Sequence, residues 1–238
     1  MYEYVKNLSQ SIEKLITINK EPLERTIELF AQSIIEDNMI QVLGTGHSHM
    51  IGLEGFIRAG GLGNINAILD STVLTSDGAL RGSELEKLPG LADILWNDQK
   101  INKDDLVMVA SNSGRNALPI EFAMRAKQEG HTVIAITSVE QSSINPSRHT
   151  SGLKLMDVAD IILDNCVPTG DGLCKVNGRI TGAFSSIAGM TLMNTICVEA
   201  QKRALDLGGQ PLVFSSQNVD GFDNEAIYQH FGDRLKCR

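Results

Sequence analysis

Five short runs constrain this chain most. MIQVLG (39–44), INAILD (65–70), LVMVAS (106–111), TVIAIT (132–137) and DIILD (160–164) are apolar almost throughout, and each is followed by Gly, Ser or Asp and then by a helical pattern. A strand with one wet face alternates apolar and polar residues, whereas a strand apolar on both sides must be covered on both. That is the condition of a parallel sheet whose strands are joined by right-handed helical crossovers. The pattern predicts an α/β fold with a doubly wound, five-stranded parallel sheet.

The rest of the chain is arranged around that sheet. With 238 residues, 42% of them hydrophobic and 21% charged, it has enough apolar material for the core of one large domain with appendages. Ahead of the sheet, Val5, Leu8, Ile12 and Leu15, then Leu23, Ile27, Phe30 and Ile34, keep helical spacings of three and four. Pro22 lies between the two sets and is expected to divide them. Residues 1–37 therefore read as an N-terminal helical segment that docks on its own core or on a second subunit, residues 38–215 as the main domain, and 216–238 as a tail with a short helix. The long connection from Ser71 to Asp105 carries LEKLPGLADILWN, which predicts short helices. KVNGRI places Asn-Gly between alternating residues and predicts a hairpin flap. A long apolar helix is expected from Ser185 to about Leu207, stopped by Gly208 and Gly209.

Charge removes several function classes. A formal net charge of -8 disfavours a partner held along its phosphate backbone, and neither a basic patch nor a helix-turn-helix extension precedes the domain, so no nucleic-acid partner is expected. No apolar run approaches the ~20 residues of a membrane span, and the start lacks a signal core. The expectation is a cytoplasmic protein with no membrane partner. Cys166, Cys174, Cys197 and Cys237 form no CxxC pair and read as thiols, with no metal site expected.

In open α/β sheets ligands bind beyond the carboxyl ends of the strands, which directs attention to the loops after the first and third runs. The first is Gly44-Thr45-Gly46-His47-Ser48, where Gly44 and Gly46 let backbone approach a ligand and Ser48 opens a helix whose free amides favour an anion. The second is Ser111-Asn112-Ser113-Gly114-Arg115-Asn116, again just ahead of a helix. Two hydroxyls, an amide and a glycine in one strand-to-helix turn are the chemistry of a phosphate cradle. Ordinary N-capping accounts for the same residues without a ligand.

The second loop and its surroundings, VMVASNSGRNALPIEFAMRAKQEGHTVIAITS, resemble the core of the SIS (sugar isomerase) domains, with strand, Ser-x-Ser-Gly-x-(Ser/Thr), helix and strand. The likeness extends through GTGHSH, HTSGLKLMDVADIILDN and PLVFSSQNVDG, about three quarters of the chain, and is strongest to single-SIS bacterial proteins described as phosphosugar-binding. It implies a flavodoxin-like sheet and phosphate binding by Ser111, Ser113 and Gly114, with Asn116 standing where the family usually has a third hydroxyl. GTGHSHMIGLEGFIRAGG is also similar to the isomerase domains of hexosamine-phosphate synthases. There Glu54 matches the Leu-Glu-Gly glutamate, Arg58 falls where those enzymes have a lysine, and Gly61 falls where their catalytic glutamate stands. Arg58 also takes the place of the acidic residue of SIS-type N-acetylmuramic acid 6-phosphate etherases.

The resemblance implies a hexose or amino-sugar phosphate as ligand, an isomerase or lyase step by proton transfer, no cofactor, and a homodimer. Glu54 is the first candidate for the catalytic base, since it lies in the helix that starts at the first loop. Its neighbour Arg58, four residues on, predicts an ordinary ion pair on one helix face. His149, in the polar loop NPSRHTSG, is the second candidate. His47 and His49 can hydrogen-bond, cap or ligate. Asp171 and the Ser185-Ser186 pair are placed to close the site, and for the two serines helix capping is the default explanation. The vacancy at Gly61 keeps a second class open, a sugar-phosphate sensor without catalysis.

Overall fold

The computed structural model describes residues 1–221 and 223–236. The chain begins with two helices, α1 (Glu3–Ile18) and α2 (Lys20–Ile35). The break between them falls at Asn19, not at Pro22. Proline is the third residue of α2, and the first turn of a helix has no intrahelical use for its N–H groups, so nothing is lost there. Leu15 of α1 and Leu23, Ile27, Phe30 and Ala31 of α2 are buried, which places both helices on the main core.

The strands follow as the apolar runs predict: β1 (Ile40–Gly44), α3 (His49–Gly55), β2 (Ile65–Ile68), α4 (Ala79–Leu85), α5 (Leu91–Asn97), β3 (Leu106–Ala110), α6 (Ala117–Gln128), β4 (Val133–Thr137), α7 (Val139–Ile144), α8 (Leu155–Val158) and β5 (Ile161–Asp164). They form one parallel sheet of order β2-β1-β3-β4-β5. The side-chain period of two splits them between two cores. Ile40, Val42, Met108, Ala110, Ile134 and Ile136 face α2 and the long helix α9 (Ser185–Asp206). Leu43, Val107, Val109, Val133 and Ala135 face α5 and α6.

Between β5 and α9 lies the hairpin β6 (Cys174–Val176) and β7 (Arg179–Thr181). Its turn residues Asn177 and Gly178 have φ of 48° and 76°, the conformation for which Asn-Gly is suited. At the far edge of the sheet Met39, Phe56, Ala67 and Phe214 form a third cluster with Ile227 and Phe231 of α10 (Glu225–Phe231), so the tail covers the flank beside β2. Among the described residues no helix is long and apolar enough to cross a membrane.

Candidate functional site

The strand order locates the site. From β1 the chain crosses to β2 on one side, while β3 lies on the other, so the connections leaving β1 and β3 diverge and open a crevice at their carboxyl ends. The two loops read from the sequence are the ones that flank it. Gly44 and Ala110, the last residues of β1 and β3, are register partners.

In the first loop, a Cβ on Gly44 would lie 2.2 Å from the Ser48 carbonyl oxygen, so only glycine lets the chain fold back this tightly. Gly46 holds φ +53° and donates its N–H to the Val73 carbonyl at 3.0 Å. The His49 Nδ1 faces the Gly46 carbonyl, which ties that ring to the loop. His47 is exposed and Ser48 half-buried, and neither side chain has a partner among the described residues.

In the second loop, Ser111 is buried and its Oγ accepts the Gly114 N–H at 3.2 Å, while Gly114 turns at φ +59°. Asn112 is anchored from two sides: it donates to Gln141 at 2.6 Å and accepts from Asn165 at 2.9 Å. Asn116 donates to Glu86 at 2.9 Å and accepts from Arg148 at 3.0 Å. Among the serine and asparagine side chains of this loop, Ser113 alone is half-buried with no partner among the described residues. Its hydroxyl is available to an oxyanion ahead of α6, whose Leu118 N–H is already given to the Glu86 carbonyl at 3.0 Å and whose Pro119 has none.

Glu54 and His149 are not brought together. Glu54 is on α3, which packs on α9 on one face of the sheet; its Oε1 receives Asn194 Nδ2 at 2.7 Å and pairs with Arg58, and its side chain is 20% exposed. The helix ends before Arg58. Phe56 is extended and Ile57 holds φ +41°, so the ion pair is closed through a turn rather than along one helix face as the spacing suggests. A left-handed β-branched residue is strained by about 1–3 kcal/mol, and this turn brings Arg58 back to Glu54. A Cβ on Gly61 would meet Arg58 Cγ at 3.0 Å and the Arg58 and Gly55 carbonyl oxygens at 3.1 and 3.2 Å, so a side chain there requires its neighbours to give by a few tenths of an ångström. His149 lies on the other face, with Nε2 3.2 Å from Glu121 of α6 and Nδ1 2.7 Å from Ser151 Oγ. It lines a groove of about 250 Å3 with Glu121, Asp93 and Arg125, away from the switch point.

Asp171 is a helix cap. Its carboxylate accepts the Phe184 and Ser185 N–H groups at 3.1 and 2.8 Å and the Ser185 hydroxyl at 2.6 Å. Cys166, Cys174 and Cys197 are thiols; burial, then the Asp164 charge, pushes Cys166 up to about 11, and burial, then the Glu54 charge, pushes Cys197 up to about 12. Cys237 lies outside the described residues. Residues that sequence reasoning missed are Gln141, Asn165, Glu86, Arg148 and Asn194. Only Arg148 carried a signal, as the neighbour of His149.

A doubly wound sheet with an Ser-x-Ser-Gly turn at its switch point is the signature of one class, and comparison with known proteins agrees: the SIS-domain profile matches residues 3–138. The chain belongs to the SIS-domain family. Within it, the chain is 36% identical over 98% of its own length, and 98% of the other's, to a UPF0309 protein of Caldanaerobacter subterraneus subsp. tengcongensis. Its fold is shared with a phosphoheptose isomerase from Francisella tularensis, with a TM-score of 0.56 and 16% identity over 84% of this chain and 95% of the other. The Vibrio vulnificus NanR protein complexed with ManNAc-6P is similar at a TM-score of 0.50 and 16% identity, covering 86% of this chain and 63% of that one.

Proposed function

We propose that this chain binds a hexose or amino-sugar phosphate in the crevice between the β1 and β3 loops and moves a proton on the carbon next to its carbonyl or ether carbon, as an isomerase or a related lyase. The observation that carries the reading is the free Ser113 hydroxyl at the amino end of α6, beside a β1 loop whose glycines admit a ligand. The same fold in a phosphoheptose isomerase and in a protein solved with ManNAc-6P supports it. Glu54 is the base: its Oε2 takes no hydrogen bond among the described residues while Arg58 and Asn194 hold Oε1. In an isomerisation it takes the proton from the carbon next to the carbonyl and returns it to the former carbonyl carbon, while the hydroxyl proton passes to the former carbonyl oxygen, so atoms and electrons balance without a co-reactant or a cofactor. The protein works in the cytoplasm as a homodimer.

A second reading, a sensor that binds the sugar phosphate and reports it to a partner, is favoured by Gly61, which supplies no side chain at the position where the resemblance expects a base. Solvent isotope exchange separates the two. Deuterium entering a bound sugar phosphate marks the enzyme; binding without exchange marks the sensor. For the loop itself, Ser113→Ala is expected to lose about 1.5–3 kcal/mol of sugar-phosphate affinity, roughly 10- to 150-fold, with its circular dichroism unchanged. Unchanged affinity in the folded variant removes this loop from the site.

A further inference from the structure

Two arginines beside the crevice lack a counter-ion. Arg115 lies in the β3 loop between Gly114 and Asn116. Arg148 lies in the segment after α7, which is fastened to that loop by two backbone hydrogen bonds, Arg148 N–H to the Arg115 carbonyl and Leu155 N–H to the Gly114 carbonyl, both 2.8 Å. Arg115 Nε is buried with no hydrogen-bond partner, and Arg115 forms no ion pair among the described residues. Arg148 gives one N–H to Asn116 Oδ1 at 3.0 Å and forms no ion pair either. The acid whose field reaches it, Glu84, is already paired with Lys87 at 2.6 Å. The two guanidinium charges also sense each other: burial, then the Arg148 charge, lowers the pKa of Arg115. In a chain with 29 acidic and 21 basic residues, acids to neutralise them are not scarce.

Asn116 explains the vacancy. It stands where the SIS resemblance expects a third hydroxyl, and its carboxamide is taken by Glu86 and Arg148. We propose that Arg115 and Arg148 are ligand-binding residues of the phosphate subsite, receiving phosphate oxygens that the engaged Asn116 side chain does not. The inference rests on the phosphosugar reading above. A planar guanidinium fits a phosphate with two parallel hydrogen bonds, and a dianion between two such groups removes their mutual repulsion.

The probe is inorganic phosphate, titrated by calorimetry and by thermal unfolding into the wild type, Ser113→Ala, Arg115→Gln, Arg148→Gln and Arg148→Lys. Arg115→Gln and Arg148→Gln are each expected to weaken phosphate roughly tenfold or more, with Arg148→Lys in between. Without phosphate, Arg115→Gln is expected to melt no lower than the wild type, because that side chain has no partner to lose; a structural arginine would give the opposite. Phosphate affinity within about twofold of wild type in Arg115→Gln, alongside a loss in Ser113→Ala, overturns this inference and leaves the phosphosugar reading standing. A wild type that binds neither inorganic phosphate nor any of a panel of hexose phosphates overturns both. If Arg148→Gln does not fold, Arg115→Gln decides.

Discussion

At the scale of single residues the chain separates chemistry from clasping. Glu54 carries the chemistry in the proposed reaction, so Glu54→Gln is expected to abolish turnover or isotope exchange while sugar-phosphate affinity stays within about tenfold, since a group acting in the transition state contributes little to the ground state. Full exchange in that variant moves the base elsewhere, with His149 next to be tested. Asp37 is a clasp. Burial alone pushes its carboxyl up, but hydrogen bonds from His230 at 2.6 Å and Arg234 at 3.0 Å, with the Arg234 charge, outweigh that and hold it below the usual carboxylate range. A carboxyl lowered in the folded state stabilises above its unfolded pKa of about 4, and that contribution disappears as pH falls through the lower folded value. Asp37→Asn keeps the positive φ of 59° at little backbone cost and is expected to lower stability by about 1 kcal/mol or less at pH 7, the range for exposed pairs. The gap between variant and wild-type melting temperatures should close below about pH 4. A gap constant down to pH 2–3 would show that the carboxylate is not what holds α10 there.

At the scale of elements, the helical corner at Asn19 shows how α1 and α2 are joined to the sheet. Asn19 is 1% exposed; its Nδ2 donates to the Leu15 carbonyl at 2.8 Å and to the Asp164 carbonyl at 2.6 Å, and its Oδ1 accepts the Asp164 N–H at 2.8 Å. The side chain thus completes the backbone hydrogen bonding at the end of β5, as a further strand would. Asn19→Ala leaves both Asp164 groups without this partner and is expected to cost about 2–4 kcal/mol, measured by urea unfolding with an unchanged m-value. A loss below 0.5 kcal/mol would mean that water replaces the amide without penalty.

At the scale of the whole molecule, α3 and α9, which pack together, each carry an apolar side chain that the described residues leave half exposed. Leu53, next to Glu54 in α3, and Val198, one turn after Asn194 in α9, are each 48% exposed, and Asn194 donates to Glu54 between the two helices. A second copy of the chain is the proposed cover, and it sets the Glu54 carboxylate beside the interface. Light scattering at low micromolar concentration is expected to give twice the 25.8 kDa of the chain, and Val198→Lys to shift it toward the single mass. A monomeric wild type would rule this assembly out.

The amino-acid sequence alone determined every strand and the two loops at the switch point, because these follow from local periodicity. An apolar run of five residues between Gly-rich turns needs both faces covered wherever it lies, and a Ser-x-Ser-Gly turn sits where its strand ends. The long helix from Ser185 and the Asn177-Gly178 hairpin were legible for the same reason. Only the tertiary structure decided which partners those residues take. Asn19 breaks the helical pair because Asp164, 145 residues away, accepts it. Asn116 is withdrawn from the hydroxyl role because Glu86 and Arg148 arrive from two other connections. Glu54, on α3, and His149, in the loop between α7 and α8, come from connections on opposite faces, since the strand order sends the chain back from β2 to the other side of β1. Periodicity records how much surface a segment must bury. The partner that meets it is set by the order of strands and the paths of their crossovers, and no window of local sequence contains those.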